Sequence, residues 1–282
     1  MQWTTGARQG RPRDILSFSH GIGEVYDEQS SAKVPEKLDS PDLLAVSSLG
    51  QLSRYPQVAA LRRFITGWYL SYLNIEHVRA QPMSGPQDRL SVTGDNLANV
   101  IQYLGEQHPQ RLEDIFSVLG QRVPSLERVD AEQMADGRLL LRLKDRPFAS
   151  PVLAKFVSDG TLKLLAYLTV LYDPDPASII GLEEPENQLH PKLLYNLAEE
   201  ARSAAERSQM LVTTHSPYFV DALRPKELWV LYRDEDGFAR TRRASELPDL
   251  MDMVKAGGSL GSLWMEGYFD VGDPLVRSGR PR

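Results

Sequence analysis

Three features of this 282-residue chain predict an α/β fold: a parallel sheet with flanking helices and an inserted helical lobe. Residues 177–182 are short and largely apolar, with two β-branched isoleucines, which suits a strand buried on both faces of a parallel sheet. Residues 209–212 give a second apolar run that again reads as a buried strand. Between them Pro191 fits a first helical position, and Leu193, Leu194, Leu197, Ala198 and Ala201 recur at helical spacing, so the three pieces form a strand–helix–strand unit.

The first of these strands ends in two adjacent carboxylates, Glu183 and Glu184, and Pro185 stops it. Acids just past the carboxyl end of a parallel strand sit in the crevice where open α/β sheets bind ligands. In a Walker B arrangement Glu183 would hold Mg²⁺ directly or through water, and Glu184 would orient and polarise an attacking water. Two acids alone are better read as an ordinary solvated turn, and three further motifs reverse that balance. The second strand runs into Thr213-Thr214-His215-Ser216-Pro217, which puts His215 at the same sheet edge as Glu184, where an imidazole could donate to a γ-phosphate. Ser158-Asp159-Gly160-Thr161 opens an almost wholly apolar helix with a cap residue and a glycine, making a helix start whose free N–H groups attract an anion. Glu186-Asn187-Gln188-Leu189-His190 is a polar loop directly after the acidic pair.

In order and spacing these motifs resemble the ABC-type ATPase heads of the RecF/SMC class. They are most similar to the compact RecF-like AAA-type ATPases of bacteria, with their Ser-Asp-Gly-Thr, Glu-Glu-Pro-Glu-Asn, Leu-His-Pro and Thr-Thr-His-Ser-Pro wording. The resemblance implies a P-loop NTPase-type sheet, ATP and Mg²⁺ as cofactors, and ATP held between two heads in a head-to-tail homodimer. It assigns Ser158, Asp159, Gly160 and Thr161 to a signature acting on a partner's nucleotide, and Asn187 and His190 to a loop beside it. It also assigns Glu183 to the metal, Glu184 to the catalytic base and His215 to γ-phosphate sensing. Glu183 stands where an Asp is commoner. DNA is the family-level partner, and DNA repair, DNA-end sensing or phage defence the implied process. The competing reading is a non-hydrolysing interaction module that pairs with a complete homologue.

No G-x-x-x-x-G-K-[ST] occurs in the 282 residues, nor any Gly-Lys dipeptide. Gly21-Ile22-Gly23 lacks the lysine and reads as a turn. The resemblance places the phosphate loop and the first strand upstream, so the chain is expected to be the later part of an ATPase, with residues 1–40 as short antiparallel strands or loops of a residual lobe. Residues 41–135 are expected to form a helical lid. Val58, Leu61, Phe64, Ile65, Trp68, Tyr69 and Tyr72 share one helical face, followed by helices around 97–104 and 112–119 that Gly105 and Gly120 would end. No heptad run extends this lobe into a coiled coil. Asp95 or Asn96 suits a helix cap, with Gly94 in a turn. Residues 136–282 form the C-terminal ATPase lobe. There, 228–238 predicts a hairpin turning on Asp236-Gly237, Arg240, Arg242 and Arg243 mark a charged edge, 257–274 an irregular cap and 277–282 a fraying end. An acidic cluster at 234–236 is better explained by that turn than by a nuclease metal site.

Composition agrees with a soluble protein: 41% of residues are hydrophobic, and no apolar run approaches membrane-spanning length. The absence of cysteine excludes a disulfide scaffold and thiolate metal sites, and agrees with a reducing cytoplasm. A net charge of −6 argues against wholesale coating of nucleic acid. Expressed by itself, the chain is expected to bind ATP poorly and to aggregate, because the strands ending at Glu184 and His215 would lack a neighbour; monodisperse protein with tight Mg-ATP binding, measured by calorimetry and light scattering, would contradict this.

Overall fold

A computed structural model describes residues 2–3 and 13–271. The chain divides at residues 68 and 69 into two compact units. In the first, the two-residue strands β1 (Gln2–Trp3) and β2 (Arg13–Asp14) pair antiparallel, and β3 (Leu16–Ser19), β4 (Ile22–Asp27) and β5 (Ala32–Lys37) form an antiparallel meander. The β3–β4 turn is made by His20 and Gly21, both at positive φ, so Ile22 and Gly23 belong to β4 rather than to the turn. Helices α1 (Ala45–Leu49) and α2 (Pro56–Thr66) complete the unit, and Ile15, Leu16, Val25, Leu49, Tyr55 and Val58 form its core.

Helix α2 stops at Thr66 against Gly67, and the next residues form a strand, β6 (Trp68–Ser71). The expectation of one long helical face through Tyr72 is therefore corrected: Trp68 and Tyr69 leave the helix because their backbone is claimed by the sheet. Tertiary pairing overrides the weak local preference of aromatic residues. A short helix α3 (Ile75–Val78) follows, then an irregular stretch to α4 (Leu97–Gln107) and α5 (Pro109–Arg122). Gly105 and Gly120 lie inside these helices and do not end them. The stops come from proline, since His108 precedes Pro109 and Val123 precedes Pro124, and both adopt non-helical backbone. Gly94 does turn at φ 85, and Asn96 takes the cap position of α4, but its side chain faces away, accepting from Ser91 N–H (2.8 Å) and donating to Arg89 O (2.9 Å).

An antiparallel sheet of β7 (Leu126–Gln133), β8 (Leu139–Asp145) and β9 (Val152–Leu153) comes next, followed by helix α6 (Asp159–Leu171). Every residue of α6 from Leu162 to Leu171 is buried, and each of its leucines contributes about 1.5–3 kcal/mol relative to exposure. Strand β10 (Ile179–Glu183), helix α7 (Pro191–Ala204) and strand β11 (Gln209–Thr213) make the parallel unit, in the sheet order β11-β10-β6. Ile180 and Leu182 are fully buried, as expected of a central strand. Strand β11 is not: it lies at the sheet edge, its exposure alternates, and Leu211 is 62% exposed, which corrects the reading of a second buried strand.

After helix α8 (Pro217–Val220), the strands β12 (Trp229–Arg233) and β13 (Ala239–Arg243) form the expected hairpin, with Gly237 at φ 85 and Arg240 paired to Asp234 at 2.7 Å. Helix α9 (Pro248–Lys255) follows, and the segment 257–274, expected to be an irregular cap, is instead helical in part as α10 (Leu260–Met265); Leu250, Leu260 and Leu263 are buried with Phe269. Residues 272–274 of that segment and the tail at 277–282 lie outside the described residues. Among the described residues no helix is long and apolar enough to cross a membrane.

In the first unit the buried Asp27 accepts two hydrogen bonds from Arg54, at 2.8 and 3.0 Å, and one from the Gln29 amide. The Arg54 guanidinium holds the Asp27 carboxyl below its ordinary range. A depressed folded value stabilises above the unfolded pKa of 3.8 and loses that stabilisation as pH falls through the folded value. Hydrogen exchange across β4 and β5 should therefore be faster in Asp27→Asn than in the parent at pH 7, and the two should converge once acid has protonated Asp27.

Candidate functional site

Strands β10 and β11 pair parallel with Glu183 opposite Thr213, so the acidic strand end and the Thr213–Thr214–His215 segment emerge side by side. Glu184 follows directly and turns the chain sharply: its φ is 39°, a left-handed value that is uncommon for a side chain of this size. The turn is held because the Glu184 amide donates to Thr213 O at 3.0 Å and lies 3.3 Å from Thr213 Oγ1. Strain of this kind costs of order 1–3 kcal/mol and persists where the surroundings over-determine it.

The loop then folds back on the acid. The Asn187 amide nitrogen donates to Glu184 O (3.1 Å), and its side chain donates to Glu184 Oε2 (3.0 Å). The other carboxylate oxygen, Oε1, lies 3.7 Å from His215 Nε2. Glu186 holds the opposite strand end: its Oε1 accepts from the His215 amide at 2.6 Å and its Oε2 from Thr214 Oγ1 at 2.9 Å. Glu184, Asn187 and His215 are thus brought together by direct contacts, and Glu186 fixes the backbone that carries the imidazole. The Glu186 role is invisible in the sequence, because it depends on the loop doubling back across β11.

Ser158 caps α6, its Oγ accepting from the Thr161 amide at 3.2 Å and sharing a hydrogen bond with Thr161 Oγ1 at 2.8 Å. Asp159 is taken up by Arg79, whose Nη2 donates to Asp159 Oδ1 (2.6 Å) and to Val157 O (2.7 Å). Arg79 therefore braces the start of α6, a role its sequence context did not disclose. Gly160 faces the loop after the acids: a Cβ there would meet Gln188 O at 3.1 Å, so only glycine allows this approach without displacing backbone. His190 caps α7, its Nδ1 accepting from the Lys192 amide at 3.2 Å. Ser158, Asp159 and His190 make no hydrogen bond to the Glu184–His215 pair.

Glu183 ends β10 with an exposed side chain. No group of three or more His, Asp or Glu among the described residues converges as a metal cage. Mg²⁺ bound to a nucleotide needs none, since it takes one or two carboxylates and completes its shell with phosphate oxygens and water. The exposed Glu183 carboxylate and the half-exposed Glu184 fit that donor set.

Among the described residues Lys163, on α6, is the one cation buried beside this cluster: it is 4% exposed, and its Nζ donates to Asn187 O at 2.7 Å. Burial pushes its pKa below the usual lysine value, while the nearby Glu186 and Glu184 carboxylates oppose that fall. Removing Glu186 should free the His215 end of the site. Glu186→Ala is expected to cost about 1.5–3 kcal/mol of local protection, seen as faster amide exchange at 214–216 with β10 unchanged.

The chain matches the family model described as "AAA domain, putative AbiEii toxin, Type IV TA system" over residues 48–221. No curated protein matches it. Among solved structures, an SMC ATPase structure concerned with ATP-driven dimerization and DNA-stimulated activation is 15% identical, covering 56% of this chain and 97% of its own, with a TM-score of 0.40. An Smc head bound to the C-winged helix domain of ScpA is 13% identical, covering 76% of this chain and 64% of that one, at a TM-score of 0.48. An Smc head domain with a coiled coil and joint from Pyrococcus yayanosii is 13% identical over 55% of this chain and 33% of that one, at 0.39. The family match covers more than half of the chain and includes helix α6, the acidic strand end and the His215 strand, and the chain belongs to this AAA-domain family.

Proposed function

We propose that this chain forms the water-activating and signature-bearing part of an ATPase head, with ATP and Mg²⁺ sandwiched in a head-to-tail homodimer. The observation that carries the reading is Glu184 itself: a strained carboxylate at the end of a central parallel strand, gripped on one oxygen by Asn187 and set 3.7 Å from His215 on the other. A loop built only as a connection has no need of a left-handed glutamate between an amide and an imidazole.

Bound Mg-ATP supplies the phosphoryl group and its electrophilic activation. The residues of this chain divide the remaining work. Glu184 orients a water and takes its proton, and the Asn187 amide fixes the rotamer that does so. His215 presents Nε2 toward the same space, its backbone pinned by Glu186. Glu183 would hold Mg²⁺. Ser158, Gly160 and Thr161, at the start of α6, face the nucleotide of the second copy, and Asn187 and His190 line the loop next to it. The 282 residues contain no Gly-rich loop with its lysine, and this reading requires that one be supplied to the site. On the RecF-like resemblance the cycle serves DNA repair or phage defence, with DNA as partner, in the cytoplasm.

The absence of a Walker A sequence from these residues favours a second reading, a non-hydrolysing module that pairs with a complete homologue. The two differ in what Glu184 does. In the protein as its genomic reading frame encodes it, Glu184→Gln should keep ATP-dependent dimers and lower kcat by about 10²–10⁴-fold, while Ser158→Arg should abolish those dimers. Unchanged phosphate release in Glu184→Gln would refute the assigned base.

A further inference from the structure

Lysine is costly to bury, and an apolar helix such as α6 has cheaper ways to fill the position. Lys163 nonetheless sits within a run of buried residues, at 4% exposure, with Tyr167 beneath it: its Nζ is 5.8 Å from that ring centroid. Its one direct hydrogen bond to the neighbouring loop is to the carbonyl of Asn187. We propose that Lys163 is a positioning residue that ties the helix bearing Ser158–Gly160 to the loop that aims Glu184, so that the signature and the base move as one piece.

The geometry makes this specific. Asn187 is held at three points: its N–H bonds Glu184 O, its C=O receives Lys163, and its side-chain amide bonds Glu184 Oε2. With the peptide fixed on both sides, the side chain has little freedom, and the Glu184 rotamer inherits that restriction. A second link lies one turn earlier on the same helix, where Gly160 lets α6 approach Gln188 O so closely that a Cβ would stand at 3.1 Å. Gln188 is itself at φ 66°, a left-handed conformation that persists only where the surroundings fix it. Two adjacent loop carbonyls, 187 and 188, are therefore engaged by two positions of one helix, three residues apart and on one face. A shift of the start of α6 displaces the loop, and the loop displaces Glu184 relative to His215. Glu184 and Glu186 supply the nearby negative charge that makes an ammonium, rather than a neutral donor, the suitable group at this place.

The inference rests on Glu184 being the base, and the test separates the two. In dilute protein, hydrogen exchange of Lys163→Met, which keeps length and apolar packing, should speed up about ten-fold or more across residues 184–190. Exchange in β10 and α7 should stay at parental rates, and Lys163→Arg, which keeps charge and donor, should restore the loop. Unchanged exchange at 184–190 overturns the proposal, and so does a uniform acceleration across the whole unit that Lys163→Arg fails to correct. In turnover assays Lys163→Met should lower kcat about ten-fold with KM for Mg-ATP within about two-fold; a rise in KM alone, with kcat kept, also overturns it. A parent protein that hydrolyses no ATP would refute the ATPase reading, and the exchange result would then decide the linkage by itself.

Discussion

The parallel ladder between β10 and β11 is the constraint on which the rest of the site depends. Its register sets Glu183 opposite Thr213, and the amide of the next residue, Glu184, continues the ladder by donating to Thr213 O. One residue of slip would turn Ile180 and Leu182 out of the core and carry the acids away from His215, so the buried face and the chemistry are specified by the same alignment. The loop after β10 then has a fixed starting point, and Pro185, buried directly behind Glu184, keeps the chain from extending the strand.

From this ladder three separate pieces of chain become dependent on one another. Glu186 crosses to the end of β11, Asn187 returns to Glu184, and Lys163 and Gly160 of α6 close on the carbonyls of Asn187 and Gln188. Arg79 secures the other side of the α6 start through Asp159 and Val157 O. Side-chain hydrogen bonds to charged groups carry most of this assembly, whereas the apolar face of α6 supplies the rigid floor on which it stands.

The parallel unit was legible in the sequence because its signals are local: β-branched apolar runs, Pro191 at a helix start, and Glu183, Glu184 and His215 placed by order alone. Ser158 as a cap was legible for the same reason. Strand β6 was not, because Trp68 and Tyr69 continue the helical spacing of α2 across Gly67, and only pairing within the sheet removes them from it. Strand β8 left a readable trace in the buried Leu139, Leu141 and Leu143 alternating with Leu140, Arg142 and Lys144, yet its partner β7 is too polar to announce the pair. Within the site, Lys163 was hidden because a single lysine in an apolar helix carries no periodic signal, and Glu186 because its partners stand 28 and 29 residues away in sequence.

The left-handed backbone of Glu184 sets stability against chemistry at a single position. Glycine or asparagine would occupy that conformation at less cost, and either would relax the turn after β10 while discarding the carboxylate. Backbone stability alone would therefore favour another residue here, and the glutamate is not explained by how well it folds.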